Sequence, residues 1–141
     1  MIIVGNDVYL AGWQIVNQRY YATYWKNGTP LDLTDGTNYA LANSIYVNGS
    51  DVYVAGSEQK AVSGNMIAKY WKNGIAVNVS DDNSDANASS IRVVGNDVYV
   101  AFSEGTPFYP YTTKLWKNGT IVFLSDIKIN AAVPGMEVIQ R

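Results

Sequence analysis

Trp-Lys-Asn-Gly occurs three times in this chain, as Trp25-Lys26-Asn27-Gly28, Trp71-Lys72-Asn73-Gly74 and Trp116-Lys117-Asn118-Gly119, with the tryptophans 46 and 45 residues apart. A second word keeps the same beat: Gly5-Asn6-Asp7-Val8-Tyr9, Gly49-Ser50-Asp51-Val52-Tyr53 and Gly95-Asn96-Asp97-Val98-Tyr99, its aspartates 44 and 46 apart. Self-similarity at such a period points to a solenoid, a propeller or an array, in which each unit buries its faces only against its neighbours.

The middle unit serves as the template. Ser44-Ile45-Tyr46-Val47 is a short β-branched and aromatic run, Asn48-Gly49-Ser50 supplies turn chemistry, and Asp51-Val52-Tyr53-Val54-Ala55-Gly56 reads as a second strand. After a loop over residues 57–65, Met66-Ile67-Ala68-Lys69-Tyr70-Trp71 is a third strand and Ile75-Ala76-Val77-Asn78-Val79 a fourth. Asn-Gly between the last two is the strongest short hairpin signal, because a type I′ turn needs positive φ at both central residues. No segment sustains a helical apolar period.

The faces of the strands carry as much information as the turns. Val52 and Val54 point one way and Tyr53 and Ala55 the other, so both faces of the second strand are apolar and should be sandwiched. Ala68 and Tyr70 oppose Lys69 and Trp71. The fourth strand sets Ile75, Val77 and Val79 against Ala76 and Asn78, and polarity rises toward it. A four-stranded meander with a dry inner side and a wet outer edge describes a β-propeller blade. The segments between second and third strands (12–20, 56–65 and 103–111) and those between units (34–43, 80–89 and 125–135) vary. In a meander they share one side of the molecule, where function normally sits.

The chain opens on Ile2-Ile3-Val4 and closes on Met136-Glu137-Val138-Ile139, which fits the same slot. The single repeat domain, residues 1–141, therefore reads as units of about 1–43, 44–89 and 90–135 plus an extra first strand over 136–141. Three blades in an open arc leave two apolar faces exposed, which a soluble monomer rarely tolerates. The expected completion is a homodimer closing a six-bladed ring, or further blades of a longer chain. A β-trefoil, also built of three units of this length, is the alternative fold.

These words resemble a tandem repeat of secreted or surface proteins of bacteria, especially of the Bacteroidetes type. The resemblance runs through Ala22-Thr23-Tyr24-Trp25-Lys26-Asn27-Gly28, Leu33-Thr34-Asp35-Gly36, Ser44-Ile45-Tyr46-Val47 and Asp51-Val52-Tyr53-Val54-Ala55-Gly56, and covers nearly the whole chain. It implies a propeller-like fold and an extracellular or cell-surface location; it implies no activity, and no catalytic residue carries over from it. The third unit departs most: Phe102 stands where the middle unit has Gly56, Leu115 where it has Tyr70, and Ile127-Lys128-Ile129-Asn130 replaces a polar linker.

Composition narrows the chemistry. Hydrophobic residues make up 48% and charged residues 16%, a folding composition. The absence of histidine removes the commonest general base and metal ligand, and the absence of cysteine removes disulfides and thiolate sites. A net charge of −2 without a basic run gives nucleic-acid binding no electrostatic support. No apolar run reaches the roughly 18 residues of a membrane span, and Met1-Ile2-Ile3-Val4-Gly5 reads as a strand rather than a signal peptide.

The repeated Asp7, Asp51 and Asp97 are expected to accept backbone N–H bonds in their own turns, and Asp35, Asp81 and Asp126 to cap the linkers between units. The run Asp81-Asp82-Asn83-Ser84-Asp85 has the oxygen donors of a calcium loop but not its glycine or distal glutamate, so no metal or other cofactor is expected. Trp25, Trp71 and Trp116 read as packing anchors between blades. The candidate ligand-binding residues are the non-repeated aromatics Trp13, Tyr20, Tyr21, Tyr39, Phe108, Tyr109 and Tyr111, suited to a glycan or to a protein surface. Asn27, Asn48, Asn78, Asn87 and Asn118 head Asn-x-Ser/Thr sequons, silent if the source is bacterial. The expected function is a non-catalytic binding or scaffold module that self-associates. The alternatives are a glycan-active enzyme using Glu58 and Glu104, and a purely structural spacer.

Overall fold

The repeat folds as three separate antiparallel meanders. A computed structural model describes residues 1–61, 64–106 and 109–123, with Tyr109, Pro110 and Phe123 described in their backbone alone. The first sheet runs β1 (Ile2–Val4), β2 (Asp7–Val16), β3 (Arg19–Lys26) and β4 (Thr29–Asp32). The second runs β5 (Ala40–Asn48), β6 (Asp51–Gln59), β7 (Met66–Lys72) and β8 (Ile75–Asn78). The third runs β9 (Asp85–Val94), β10 (Asp97–Thr106), β11 (Tyr109–Lys117) and β12 (Thr120–Phe123). Each sheet keeps its strands in chain order, and among the described residues there is no helix and no ladder from one sheet to another. A β-trefoil barrel would need such ladders, whereas stacked meanders are consistent with a propeller-like arrangement.

Turn chemistry sets the register. Asn27-Gly28, Asn73-Gly74 and Asn118-Gly119 all take positive φ at both residues, the type I′ geometry expected of Asn-Gly. Gly5, Gly49 and Gly95 take positive φ alone, with an ordinary residue after them, the type II′ pattern. Paired this way, Tyr9 lies opposite Lys26, Tyr53 opposite Lys72 and Tyr99 opposite Lys117, so the same register recurs in all three units.

Two faces emerge from that register. Val54 and Trp71 of the second sheet enter one cluster with Tyr9 and Ala22 of the first. Val100 and Trp116 of the third enter another with Tyr53, Ala68 and Tyr70 of the second. Tyr70 and Trp116 meet there with ring centroids 5.5 Å apart. The second and third sheets thus each lay their Val/Trp face on the Tyr/Ala face of the sheet before, and Trp71 and Trp116 are the packing anchors expected. The fourth strands β4 and β8 are almost wholly exposed, as the rising polarity implies. Phe102 is fully buried in the cluster between the second and third sheets. At the equivalent position a Cβ on Gly56 would run into the Leu41 carbonyl oxygen.

Strand lengths depart from expectation. β5 and β9 start at Ala40 and Asp85, earlier than the apolar runs suggested, and each carries a register shift that leaves Asn43 or Ser89 as the extra residue. The segment read as a loop over 12–20 is strand on both sides of a two-residue turn, Asn17-Gln18, both with positive φ. Period-two alternation simply continues through Trp13-Gln14-Ile15-Val16. The extra strand expected over 136–141 lies outside the described residues. No helix among the described residues is long and apolar enough to cross a membrane.

Candidate functional site

The two repeated words meet as one construction. The Asn27 side-chain oxygen accepts the Val8 amide at 2.8 Å and its Nδ2 donates to Asp7 Oδ1 at 2.7 Å, while Lys26 Nζ lies 2.8 Å from Asp7 Oδ2 and over the Tyr9 ring. The second unit repeats this with Asn73, Asp51, Lys72 and Tyr53, and the third with Asn118, Asp97, Lys117 and Tyr99. The lysine and then the asparagine hold Asp7 and Asp97 below the ordinary carboxylate value; for Asp51 the Asn73 amide leads. Each lysine is raised by its aspartate. These aspartates were expected to bind backbone amides in their own turns. Instead they reach across to the neighbouring hairpin, because the register sets Asp7 beside Lys26-Asn27.

The linker aspartates behave as expected where they are described. Asp35 accepts the Thr37 amide at 2.8 Å and Asp81 the Asn83 amide at 3.0 Å, and these bonds lower both carboxyls. Asp126 lies outside the described residues. Within the calcium-like run, Asp82 pairs with Lys60 and Asp85 accepts the Met66 amide. Among the described residues no group of three acids is placed to hold a metal ion.

The acids suggested for catalysis are taken up by neighbours. Glu58 pairs with Lys69 at 2.6 Å and Glu104 with Lys114, all four side chains being largely shielded. A cleft of about 420 Å³ between the first two sheets brings Glu58 near Asp32 and Asp35. Yet Asp32 accepts from Gln14 and Thr23, both at 2.7 Å, and Asp35 from Thr37. A general acid–base pair needs two carboxyls with separated proton affinities and a free approach. This cleft instead holds carboxylates bound to donors.

The aromatic candidates divide. Trp13, Tyr20 and Tyr21 stand on strands, not on loops. Trp13 lies opposite Ala22 and Tyr20 opposite Ile15, which places Trp13, Ile15 and Tyr20 on one face. Tyr39, from the linker to the second sheet, brings its ring to 4.7 Å from Tyr20. Beside them a cleft of about 280 Å³ is lined by Gln18, Arg19, Tyr20, Thr37, Asn38 and Tyr39. Trp13 is 52% exposed and Tyr39 39%. Tyr21 is on the opposite face of β3, its ring packed over Gly36, whose φ is +72°. Tyr111 belongs to the third sheet, against Gly105. Phe108 and the side chain of Tyr109 lie outside the described residues. That the strand-two-to-three turns and the linkers share one side holds: the Gln59 amide donates to the Tyr39 carbonyl, and Asn65 Nδ2 to the Asp82 carbonyl.

Sequence reasoning did not single out a third cleft, of about 310 Å³, where the first strands of the sheets meet. Asn43, Ser44, Ser89 and Ser90 line it with Arg92, whose guanidinium stacks on Tyr46 and donates to the Ile91 carbonyl at 2.8 Å. The bulges that present Asn43 and Ser89 have no compositional mark in a run of small polar residues.

No protein-family model, curated protein or solved structure matches the chain. The three units themselves are then the informative comparison. Where the first has Trp13 and Ile15, the second has Ser57 and Gln59 and the third Ser103 and Gly105.

Proposed function

We propose that the chain is a non-catalytic binding module on a propeller scaffold, its three sheets being three blades of a six-bladed ring, with the ligand taken at the Trp13–Tyr20–Tyr39 end of the first blade. One observation carries the reading: the first unit alone places a half-exposed tryptophan where its equivalents are small serines, Ser57 being buried. Trp13 leaves about half of a large ring in water, 52% exposed, which packing of the blade does not use. Beside it stand a tyrosine pair and the polar groups of Arg19, Gln18 and Asn38. Flat amphipathic rings rimmed by hydrogen-bonding side chains suit the apolar faces and hydroxyls of a sugar. The carboxylate engagements of Glu58 and Glu104 favour binding over hydrolysis.

A glycan array probed with the 141-residue chain tests the proposal. Binding to a defined set of glycans that is lost in both Trp13→Ala and Tyr39→Ala supports it. Binding that survives both substitutions places the ligand elsewhere, and no binding at all leaves the spacer reading in its place.

A further inference from the structure

The two internal interfaces are built by one rule. Val54 and Trp71 of the second sheet cover Tyr9 and Ala22 of the first, and the equivalent Val100 and Trp116 of the third cover Tyr53 and Ala68 of the second. Among the described residues, two faces are covered by no sheet: the Val/Trp face of the first sheet and the Tyr/Ala face of the third. The first is open in the way a missing neighbour requires. Leu10 is 47% exposed, whereas its equivalents Val54 and Val100 are 1% and 0%. Ile3 is 62% exposed against 5% for its equivalent Val93. Val8 is exposed too, and Trp25 is only half-buried where Trp71 and Trp116 are buried. On the third sheet Ala101 is buried, but Tyr99 and Leu115 are only partly so, and Thr113 is partly open where its equivalents Ala22 and Ala68 are fully covered by the next sheet.

We propose that the Val8–Leu10–Trp25 face of one chain receives the Tyr99–Ala101–Leu115 face of a second copy, and the reverse, so that two chains close one ring head to tail. The inference rests on the propeller reading of the stack and names the partner it leaves open. The chain itself carries the matching surface: the third sheet presents tyrosine, alanine and leucine at the positions where the second presents Tyr53, Ala55 and Tyr70 to its neighbour. Equivalent contacts repeated along the chain impose a repeated rotation, which closes into a ring where it divides a full turn without a rise along the axis and otherwise runs on as a filament. Six sheets fall within the roughly four to eight that propellers use. Pairing two first sheets face to face would set Trp25 against Trp25, a contact with no counterpart inside the chain.

Light scattering on the 141-residue chain over a range of concentrations, with Leu10→Glu, Ile3→Glu and Thr113→Arg variants, tests this. Leu10 and Ile3 are open and Thr113 partly open within one chain, and far-ultraviolet circular dichroism checks that a charge at each leaves the fold intact; Ile3→Glu stands in should Leu10→Glu misfold. The expected result is twice the 15.5 kDa chain mass for the parent and half of that for a substitution on either face. A parent that stays at 15.5 kDa overturns the proposal and assigns the faces to other sheets or another partner. So does a dimer broken only from the first sheet, which would be face to face, a dimer broken by none, or a mass that climbs past twice 15.5 kDa as concentration rises. None of these substitutions touches Trp13 or Tyr39, so this inference and the ligand reading fail separately.

Discussion

Asn73 and Asp51 stand 22 residues apart in the chain and 2.8 Å apart in the fold, the asparagine Nδ2 donating to the aspartate Oδ1. The same atoms of Asn27 and Asp7, and of Asn118 and Asp97, meet at 2.7 Å. The asparagine also takes the left-handed turn conformation and accepts the Val52 amide. Alanine at position 73 would lose both bonds and carry a left-handed strain of roughly 1 kcal/mol. Asn73→Ala should therefore lower the melting temperature by roughly 4 °C or more, measured by circular dichroism. Asn73→Gly, which accepts the φ but not the bonds, should fall between that variant and the parent.

Acid should act through the same three sites. An aspartate held below its ordinary value of 3.8 binds fewer protons in the folded chain than in the unfolded one. Its contribution is complete above that value and lost as pH falls through the lowered one. The lysines, raised above 10.5, contribute fully below 10.5 and lose that contribution only as pH climbs through their raised values. With no histidine in the chain, the melting temperature should stay level from about pH 5 to about pH 9 and drop below about pH 4. The triple Asp7→Asn, Asp51→Asn, Asp97→Asn variant should show a shallower acid drop. An equally steep drop would place the acid sensitivity in other carboxyls.

Much of this architecture can be read before any coordinates, because it is written in turns and alternation. Asn-Gly states its φ requirement directly, and Val52-Tyr53-Val54-Ala55 states that both faces of β6 are covered. What escapes reading is whatever depends on register. Asp7 and Asn27 lie on different hairpins, and only the pairing of β2 with β3 shows that they belong together. Trp13 and Tyr20 read as loop residues because the second unit's segment over 60–65 breaks its alternation, while the first unit's strands run up to the Asn17-Gln18 turn on both sides. The Tyr20–Tyr39 contact joins a strand to a linker, and no local pattern announces it.

Gly36 supports that contact from behind. Its φ is +72°, and a Cβ there would lie 2.5 Å from Cζ of Tyr21. Gly28, at +82°, has nothing within 4 Å of the same position. Gly28→Ala should meet the backbone strain alone, whereas Gly36→Ala must also displace a tyrosine ring, adding roughly 1–3 kcal/mol. Chemical denaturation of the two variants should show that difference. Equal midpoints would mean that Tyr21 yields freely and does not fix the linker that carries Tyr39.

The tryptophans offer a way to weigh one interface against another. Trp71 is 1% exposed between the first and second sheets, so Trp71→Ala should cost about 3–5 kcal/mol at any protein concentration. Trp25 holds the equivalent place on the first sheet, but among the described residues no sheet of its own chain covers that face, and its ring leans over Gly12. Trp25→Ala should therefore cost well under half as much in dilute solution, where chains are separate. Its cost should rise toward that of Trp71→Ala as concentration increases and a second chain covers the face, because a partner that binds only the folded state adds stability by mass action. Urea titrations of both variants at low and high concentration would show this as a midpoint gap that narrows. A gap that stays constant would mean that the face around Trp25 remains open to water at every concentration.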